Sequence, residues 1–270
     1  MLRTQNKVLR RFMSQLTHGT LLKEENHSHL ADRGAKSKMH HIPLTRIQKL
    51  ICKRMLESKR TKPCFYLEAK ADITELMAMR PKLRKTFGVR VTTNAFYIHA
   101  LALAARQYPL TVGRLDGDCI EIAERLNVGF AVNAPQGLVV PVVKDADKKS
   151  LPDIAREEKL LTDKARDNKL SLEEIEGETI ALSNLGAYGT DSFIGIVPPP
   201  TSTIVAVGNV IHTVVPMNGE MTERKIVSLT VAADRRVVDE IYAARFLGSV
   251  KERLQNPQRE IQRSRMKYQN

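Results

Sequence analysis

The sequence predicts an α/β fold of the sandwich kind, a mixed β-sheet covered by helices. Three observations predict it. Apolar stretches with a helical period alternate with short runs rich in β-branched residues, and tight turn signals join some of those runs into hairpins. The chain is also long enough, at 270 residues with 42% hydrophobic and 27% charged residues, to bury a substantial core.

The elements follow in order. Ile47, Leu50, Ile51 and Met55 form one apolar helix face, and Pro63 ends that helix. Cys64 to Ala71 alternates as a strand does, and Asp72-Ile-Thr-Glu75 reads as a capping box opening a helix to about Phe87. Asn94 begins an apolar helix that runs to about Tyr108, and Leu115-Asp-Gly-Asp118 is a hairpin turn. Two strands, 128–132 and 138–143, are separated by the turn Asn133-Ala-Pro-Gln-Gly137. A charged amphipathic helix spans 151–166. Strands are expected at 179–183, 203–208 and 225–232, and a closing helix at 241–254.

Composition narrows the function classes. Cys52, Cys64 and Cys119 are odd in number, widely spaced and without a CxxC pair, which argues against a disulfide framework or a structural zinc site and suits a reducing compartment. No apolar run is long enough to span a bilayer. The net charge of +13 is concentrated at the ends: residues 1–38 carry +5 and 251–270 carry +4, leaving +4 for the long middle. Without a basic stripe interleaved with aromatics, a nucleic-acid partner is not expected.

Three regions result. Residues 1–38 form a basic N-terminal arm or targeting segment, where Leu9, Phe12, Met13 and Leu16 recur at helical spacing among arginines and lysines. Such an Arg-rich, acid-poor start looks like a mitochondrial presequence, and the favoured alternative is a flexible arm or a helix docked on a partner. Residues 39–256 are the patterned core domain, and 257–270 a polar, basic tail.

The motifs carry more. Asp234-Arg235-Arg236-Val237-Val238-Asp239-Glu240 resembles the Asp-His-Arg-Val-x-Asp-Gly signature of the E2 dihydrolipoamide acyltransferases of 2-oxo acid dehydrogenase complexes. The opening helix from Ile42, the stretch from Gly137 to Leu151, Ser183-Asn-Leu-Gly186, the strand from Pro198 to Gly208 and Ala243-Ala-Arg-Phe-Leu247 are similar to the same domain in the same order. The resemblance covers about residues 40–256. It implies a chloramphenicol acetyltransferase-like fold assembled as a homotrimer, with active-site channels between subunits that dihydrolipoyl and coenzyme A enter from opposite ends. The modestly positive body suits an anionic substrate such as coenzyme A.

The resemblance also implies roles. The family's general base is the histidine that aligns with Arg235, the oxyanion donor aligns with Ser183, and a carboxylate aligned with Asp239 holds the motif's geometry. Arginine, with a pKa above 12, has no lone pair to accept a proton, so Arg235 is not expected to act as a base. None of the histidines (His18, His27, His29, His40, His41, His99, His212) sits where it obviously replaces it, and Glu240, also new to the motif, is the alternative base. Arg235 and Asp239 are four apart and suit an ion pair compensated by Glu240, or Arg235 binds an anion such as a coenzyme A phosphate. Gly186 and Gly189 read as turn glycines, since no GxGxxG phosphate loop is present.

The expectation is therefore an E2-type acyltransferase with ordinary activity reduced or lost, or a non-catalytic E2-like scaffold of a 2-oxo acid dehydrogenase complex. No Asp-Lys-Ala lipoylation motif, lipoyl domain or metal site is read in the chain, so E1, E3 or lipoyl-domain proteins are its expected partners. The polar end from Asn256 suggests assembly that stops at the trimer. A cytoplasmic location is expected, with the mitochondrial matrix as the alternative.

Overall fold

The computed structural model describes residues 40–217, 219–259, 261 and 262, and the fold below belongs to the unit Leu44–Asn270. The basic arm 1–38 and the last residues of the tail lie outside the described residues.

Helix α1 (Arg46–Thr61) opens with a capping box. Thr45 accepts the N–H of Gln48, and the Gln48 side chain accepts the N–H of Thr45. Its Ser58 hydroxyl donates to the carbonyl of Val197 and its Arg54 guanidinium to that of Pro199, so α1 is stapled to the loop ahead of the heptad-bearing hairpin. Leu50 and Leu56 on it remain exposed.

Strand β1 (Cys64–Asp72) leads into α2 (Thr74–Phe87). The expected capping box is not formed. Asp72 stays in the sheet opposite Ile226, because its second carboxylate oxygen takes the guanidinium of Arg224 at 2.6 Å. Its first oxygen accepts the N–H and hydroxyl of Thr74 rather than Glu75, and the helix is capped at Ile73 without a side-chain bond. Thr92 caps α3 (Thr93–Gln107), the most buried helix, with His99 in its hidden face.

The hairpin β2 (Gly113–Asp116) and β3 (Cys119–Ile122) turns through Gly117 at φ +56°, as the Asp-Gly signal requires. The next two expected strands are each broken in two: β4 (Val128–Phe130) and β5 (Val132–Ala134), then β6 (Gly137–Val139) and β7 (Val142–Val143). Helix α4 (Leu151–Arg166), the short α5 (Leu172–Ile175) and β8 (Ile180–Asn184) follow. The chain then runs through β9 (Thr203–Met217) and β10 (Glu220–Asp234) into α6 (Glu240–Gln255).

Six strands form one mixed sheet in the order β1-β10-β9-β8-β4-β7. The pairs β9/β8 and β8/β4 are parallel, and the others antiparallel. Helices α2, α3, α4 and α6 pack on one face, where Val227, Leu229, Val231 and Ala233 of β10 share one buried core with Leu76, Ile98, Ile154 and Phe246. The opposite face buries a smaller cluster of Ala181, Val197, Ile204 and Ala232, with Cys64 against it. The α/β class with a mixed, helix-covered sheet is as expected. The core extends past Asn256 to Ile261, which is buried.

Strands β9 and β10 are far longer than their sequence signal. Their outer halves are largely exposed, that of β10 mostly polar and that of β9 carrying exposed Ile211, Val214 and Met217, so no buried-face alternation marks them; the ladder, the His212–Glu223 contact and Gly219 at φ +85° hold them instead. His212 is thus an exposed mid-strand residue.

Candidate functional site

Ser183 is the penultimate residue of β8, in register with Ala206 of β9, and its placement depends on two glycines. Past it, Asn184 accepts the N–H of Gly186 at 3.0 Å, Leu185 donates to the carbonyl of Val207, and Asn209 donates to that of Thr190. The backbones meet so closely that a Cβ on Gly186 would lie 2.4 Å from the Gly208 carbonyl oxygen, and one on Gly208 would lie 1.9 Å from that of Asp191. The Ser183-Asn-Leu-Gly segment is a strand-end turn pinned to β9, and it presents Ser183 to a cavity of about 380 Å³. Asn94, Glu158, Arg166, Asn184 and Tyr188 line the same cavity.

The heptad turns the chain from β10 into α6. Asp234 is buried and receives the Nε and NH2 of Arg236 at 3.0 and 2.7 Å, together with that residue's N–H at 3.1 Å. The Asp234 carbonyl accepts the N–H groups of Val237 and Val238, closing the turn. Arg235 donates its N–H to the Pro63 carbonyl, which ties the heptad to the start of β1.

Asp239 is the N-cap of α6 and accepts the Tyr242 N–H at 2.8 Å. The expected Arg235–Asp239 ion pair is therefore not made. Asp239 is committed to the helix end, and Arg235 instead donates Nε to Glu240 at 2.9 Å, both side chains being about half exposed.

Close by, Lys62 donates to the Thr201 carbonyl. Burial lowers its ammonium pKa, against the pull of Asp234. Burial also pushes the Cys64 thiol up.

Neither Arg235, Asp239 nor Glu240 lines the Ser183 cavity. Within one chain the serine and the heptad line no common cavity. His99 is buried on α3 and His212 pairs with Glu223, so neither shares that cavity.

One functional candidate was invisible as a motif. Glu158 sits on α4 in the stripe Leu151, Ile154, Ala155, Leu161 and Ala165, all buried, and is itself 8% exposed. An acid at an apolar stripe position was the signal that could have found it. Burial raises its pKa, offset in part by hydrogen bonds from Thr92 and Asn94.

A second cavity, about 610 Å³, lies between the β2–β3 hairpin and Pro200-Thr201. There burial raises the pKa of Glu178, and Arg54 approaches it to 3.8 Å. Among the described residues no group of His, Cys, Asp and Glu is arranged to hold a metal ion, and no helix is long and apolar enough to cross a membrane.

Fold and motifs together define an acyltransferase core of the mixed-sheet α/β class, and comparison with known proteins gives the family. Residues 36–261 match the model of the 2-oxoacid dehydrogenases acyltransferase catalytic domain, and the chain belongs to that family. It is 33% identical over 255 residues to the dihydrolipoyllysine-residue acetyltransferase component of the pyruvate dehydrogenase complex of Rickettsia bellii, covering 89% of this chain and 60% of the relative. It is 35% identical to the mitochondrial pyruvate dehydrogenase protein X component of Mus musculus, over 81% of this chain and 44% of the relative. The chain thus spans about half the length of these relatives. The crystal structure of the dihydrolipoamide acetyltransferase of Azotobacter vinelandii superposes with a TM-score of 0.79 at 28% identity, covering 88% of this chain and 100% of that one.

Proposed function

We propose that this chain is an E2-type acyltransferase core whose ordinary transfer of acyl groups between a dihydrolipoyl thiol and coenzyme A is reduced or lost, because Arg235 stands at the position of the base. One observation carries this reading. Arg235 follows Ser183 by 52 residues and Asp239 follows Arg235 by four, and the serine, histidine and asparagine whose catalytic roles were investigated in the Azotobacter vinelandii enzyme have the same two intervals. The matching register supports Arg235 as a substitution at the histidine position.

The chemistry then divides. Thiol attack on a thioester needs a proton acceptor, and a guanidinium with a pKa above 12 offers none. Loss of a positioned base costs about 10²- to 10⁴-fold in rate. Ser183 retains the hydroxyl that would donate to the tetrahedral oxyanion, and Asp239 holds the heptad by capping α6. That Ser183 and Arg235 do not share a cavity within one chain supports a homotrimer in which the two halves of the site meet between subunits. Coenzyme A is the acyl carrier in this reading, and the dihydrolipoyl group comes from a separate lipoyl-domain protein or an E1- and E3-containing complex. The Arg235–Glu240 ion pair, filling both altered motif positions, favours a second reading: a non-catalytic scaffold within such a complex.

Transfer between acetyl-CoA and dihydrolipoamide, measured for the wild type, R235H and R235H/E240G, tests the proposal. The double variant is expected to exceed the wild type by at least about 10²-fold. Wild-type turnover equal to that of the double variant overturns it. Silence of all three replaces it with the scaffold reading.

A further inference from the structure

A chain that has lost its base still holds a buried carboxyl in the cavity of its serine. Glu158 and Ser183 line the same cavity of about 380 Å³, the first from α4 and the second from the end of β8. The Glu158 carboxylate is held by two neutral donors, the Thr92 hydroxyl at 3.0 Å and the Asn94 side-chain amide at 3.5 Å. Both belong to the start of α3, and Asn94 lines the cavity as well. An acid in a stripe otherwise made of Leu, Ile and Ala costs stability, since an isolated charge is poorly tolerated at such a depth. Placement of a costly ionisable group on the wall of the same cavity as a serine hydroxyl is the arrangement expected of a site, not of packing alone.

We propose that Glu158 is the proton acceptor of whatever slow thioester exchange this chain retains, acting in the cavity of Ser183 without the heptad. The idea rests on the acyltransferase reading above. In the step, the Glu158 carboxylate takes the proton from the attacking thiol. The sulfur forms a C–S bond to the thioester carbonyl carbon, and the carbonyl electron pair moves to oxygen, where the Ser183 hydroxyl donates to it. Collapse restores the C=O bond and breaks the C–S bond of the departing thiolate, which recovers the proton from the Glu158 carboxylic acid. No redox partner is required, and atoms balance with one thioester and one thiol on each side.

The environment of Glu158 suits proton exchange. Burial pushes its pKa above the ordinary carboxylate value, against the hydrogen bonds of Thr92 and Asn94. Arg166 and Asp163 of its own helix act on it with opposite signs. From α3 it meets the neutral Thr92 and Asn94, and Tyr188 is the remaining ionisable side chain on the cavity wall. A carboxylate whose pKa is raised is a stronger proton acceptor than an ordinary one.

The competing account is that Glu158 only anchors α4 to the N-terminus of α3, where a carboxylate is favoured electrostatically. The experiment is acetyl-CoA:dihydrolipoamide exchange over a pH series, with the full chain, E158Q, E158D and S183A. The thermal midpoint of each variant is recorded alongside. E158Q is expected to lower kcat by about 10²-fold or more with KM little changed, to abolish the acid limb of the pH profile, and to remain folded. E158D keeps a carboxyl and is expected to retain the acid limb at a reduced rate, which keeps the test decisive should E158Q not fold.

Measurable wild-type exchange that E158Q leaves unchanged in rate and pH profile overturns the role of Glu158 and leaves the acyltransferase reading standing. Wild-type exchange no faster than buffer, with activity gained in R235H/E240G, also overturns it and identifies a fully disarmed site. Silence in both sinks the acyltransferase reading itself.

Discussion

Asp234 holds the heptad in place, and Arg235 decorates it. Asp234 is 2% exposed and its carboxylate takes both the backbone N–H and the guanidinium of Arg236, whereas the Arg235–Glu240 pair lies about half exposed. A hydrogen bond to a buried charge is worth about 1.5–3 kcal/mol, and an exposed ion pair about 0–1 kcal/mol. D234N is therefore expected to lower unfolding stability by about 2 kcal/mol, and R235A by less than about 1 kcal/mol, in urea titrations followed by circular dichroism. A large loss in R235A would show that Arg235 seals the structure. The residue types at 234–240 were legible in the sequence, as was the likeness of Ser183 and Asp239 to family positions. The partner of Arg235 was not. Helical spacing suggested Asp239, but an N-cap carboxylate is occupied by its own helix, which frees only Glu240 to pair.

At the scale of elements, the turn after β8 and the strand β9 act as one unit through Gly186 and Gly208. Their backbones approach where no Cβ fits: the added atom at Gly208 would meet the Asp191 carbonyl oxygen at 1.9 Å, and backbone cannot yield as a flexible side chain can. G208A is expected to cost about 3 kcal/mol and to displace the turn that carries Ser183, so that any exchange activity falls with stability. Urea midpoints together with the exchange rate check this, and a variant as stable as the wild type would refute the close-approach argument. Elements with one buried face, such as α4 and α6, were legible from their periodicity, and α3, buried on nearly every side, from its continuous apolar run. The outer halves of β9 and β10 were not, because a ladder largely exposed to solvent is under no demand to alternate apolar with polar residues. Glu158 escaped for a related reason: amphipathic reading sorts acids to the solvent side, and this one sits on the buried side.

For the whole molecule, the carboxyls divide into two sets that pull stability in opposite directions with pH. Hydrogen bonds from Arg125 hold the Asp145 carboxyl well below its ordinary range. Asp72 is also held low: burial alone would raise it, but the Thr74 hydroxyl and N–H and the Arg224 guanidinium outweigh burial. Such groups stabilise the fold above their unfolded pKa, and that contribution disappears as pH falls through their depressed values. Glu158 and Glu178 belong to the second set, raised by burial from 4.5. Their contribution is favourable below the ordinary value and is lost as pH rises through their raised values, because the folded chain then carries a charge it solvates poorly. Lowering the pH from neutral should therefore first relieve the cost of Glu158 and Glu178, and only then lose Asp72 and Asp145. The carboxyl contribution to stability is expected to peak on the mildly acidic side. Urea midpoints between about pH 2 and about pH 8 measure this directly. E158Q should flatten the decline on the neutral side and leave the acid side intact, while D72N should lower the curve above the ordinary carboxylate range, converge with the wild type at the acid end and so flatten only the acid side. A neutral-side slope that E158Q leaves unchanged would mean that Glu158 shares one pKa in the folded and unfolded chain, and that burial in the Ser183 cavity does not act on it.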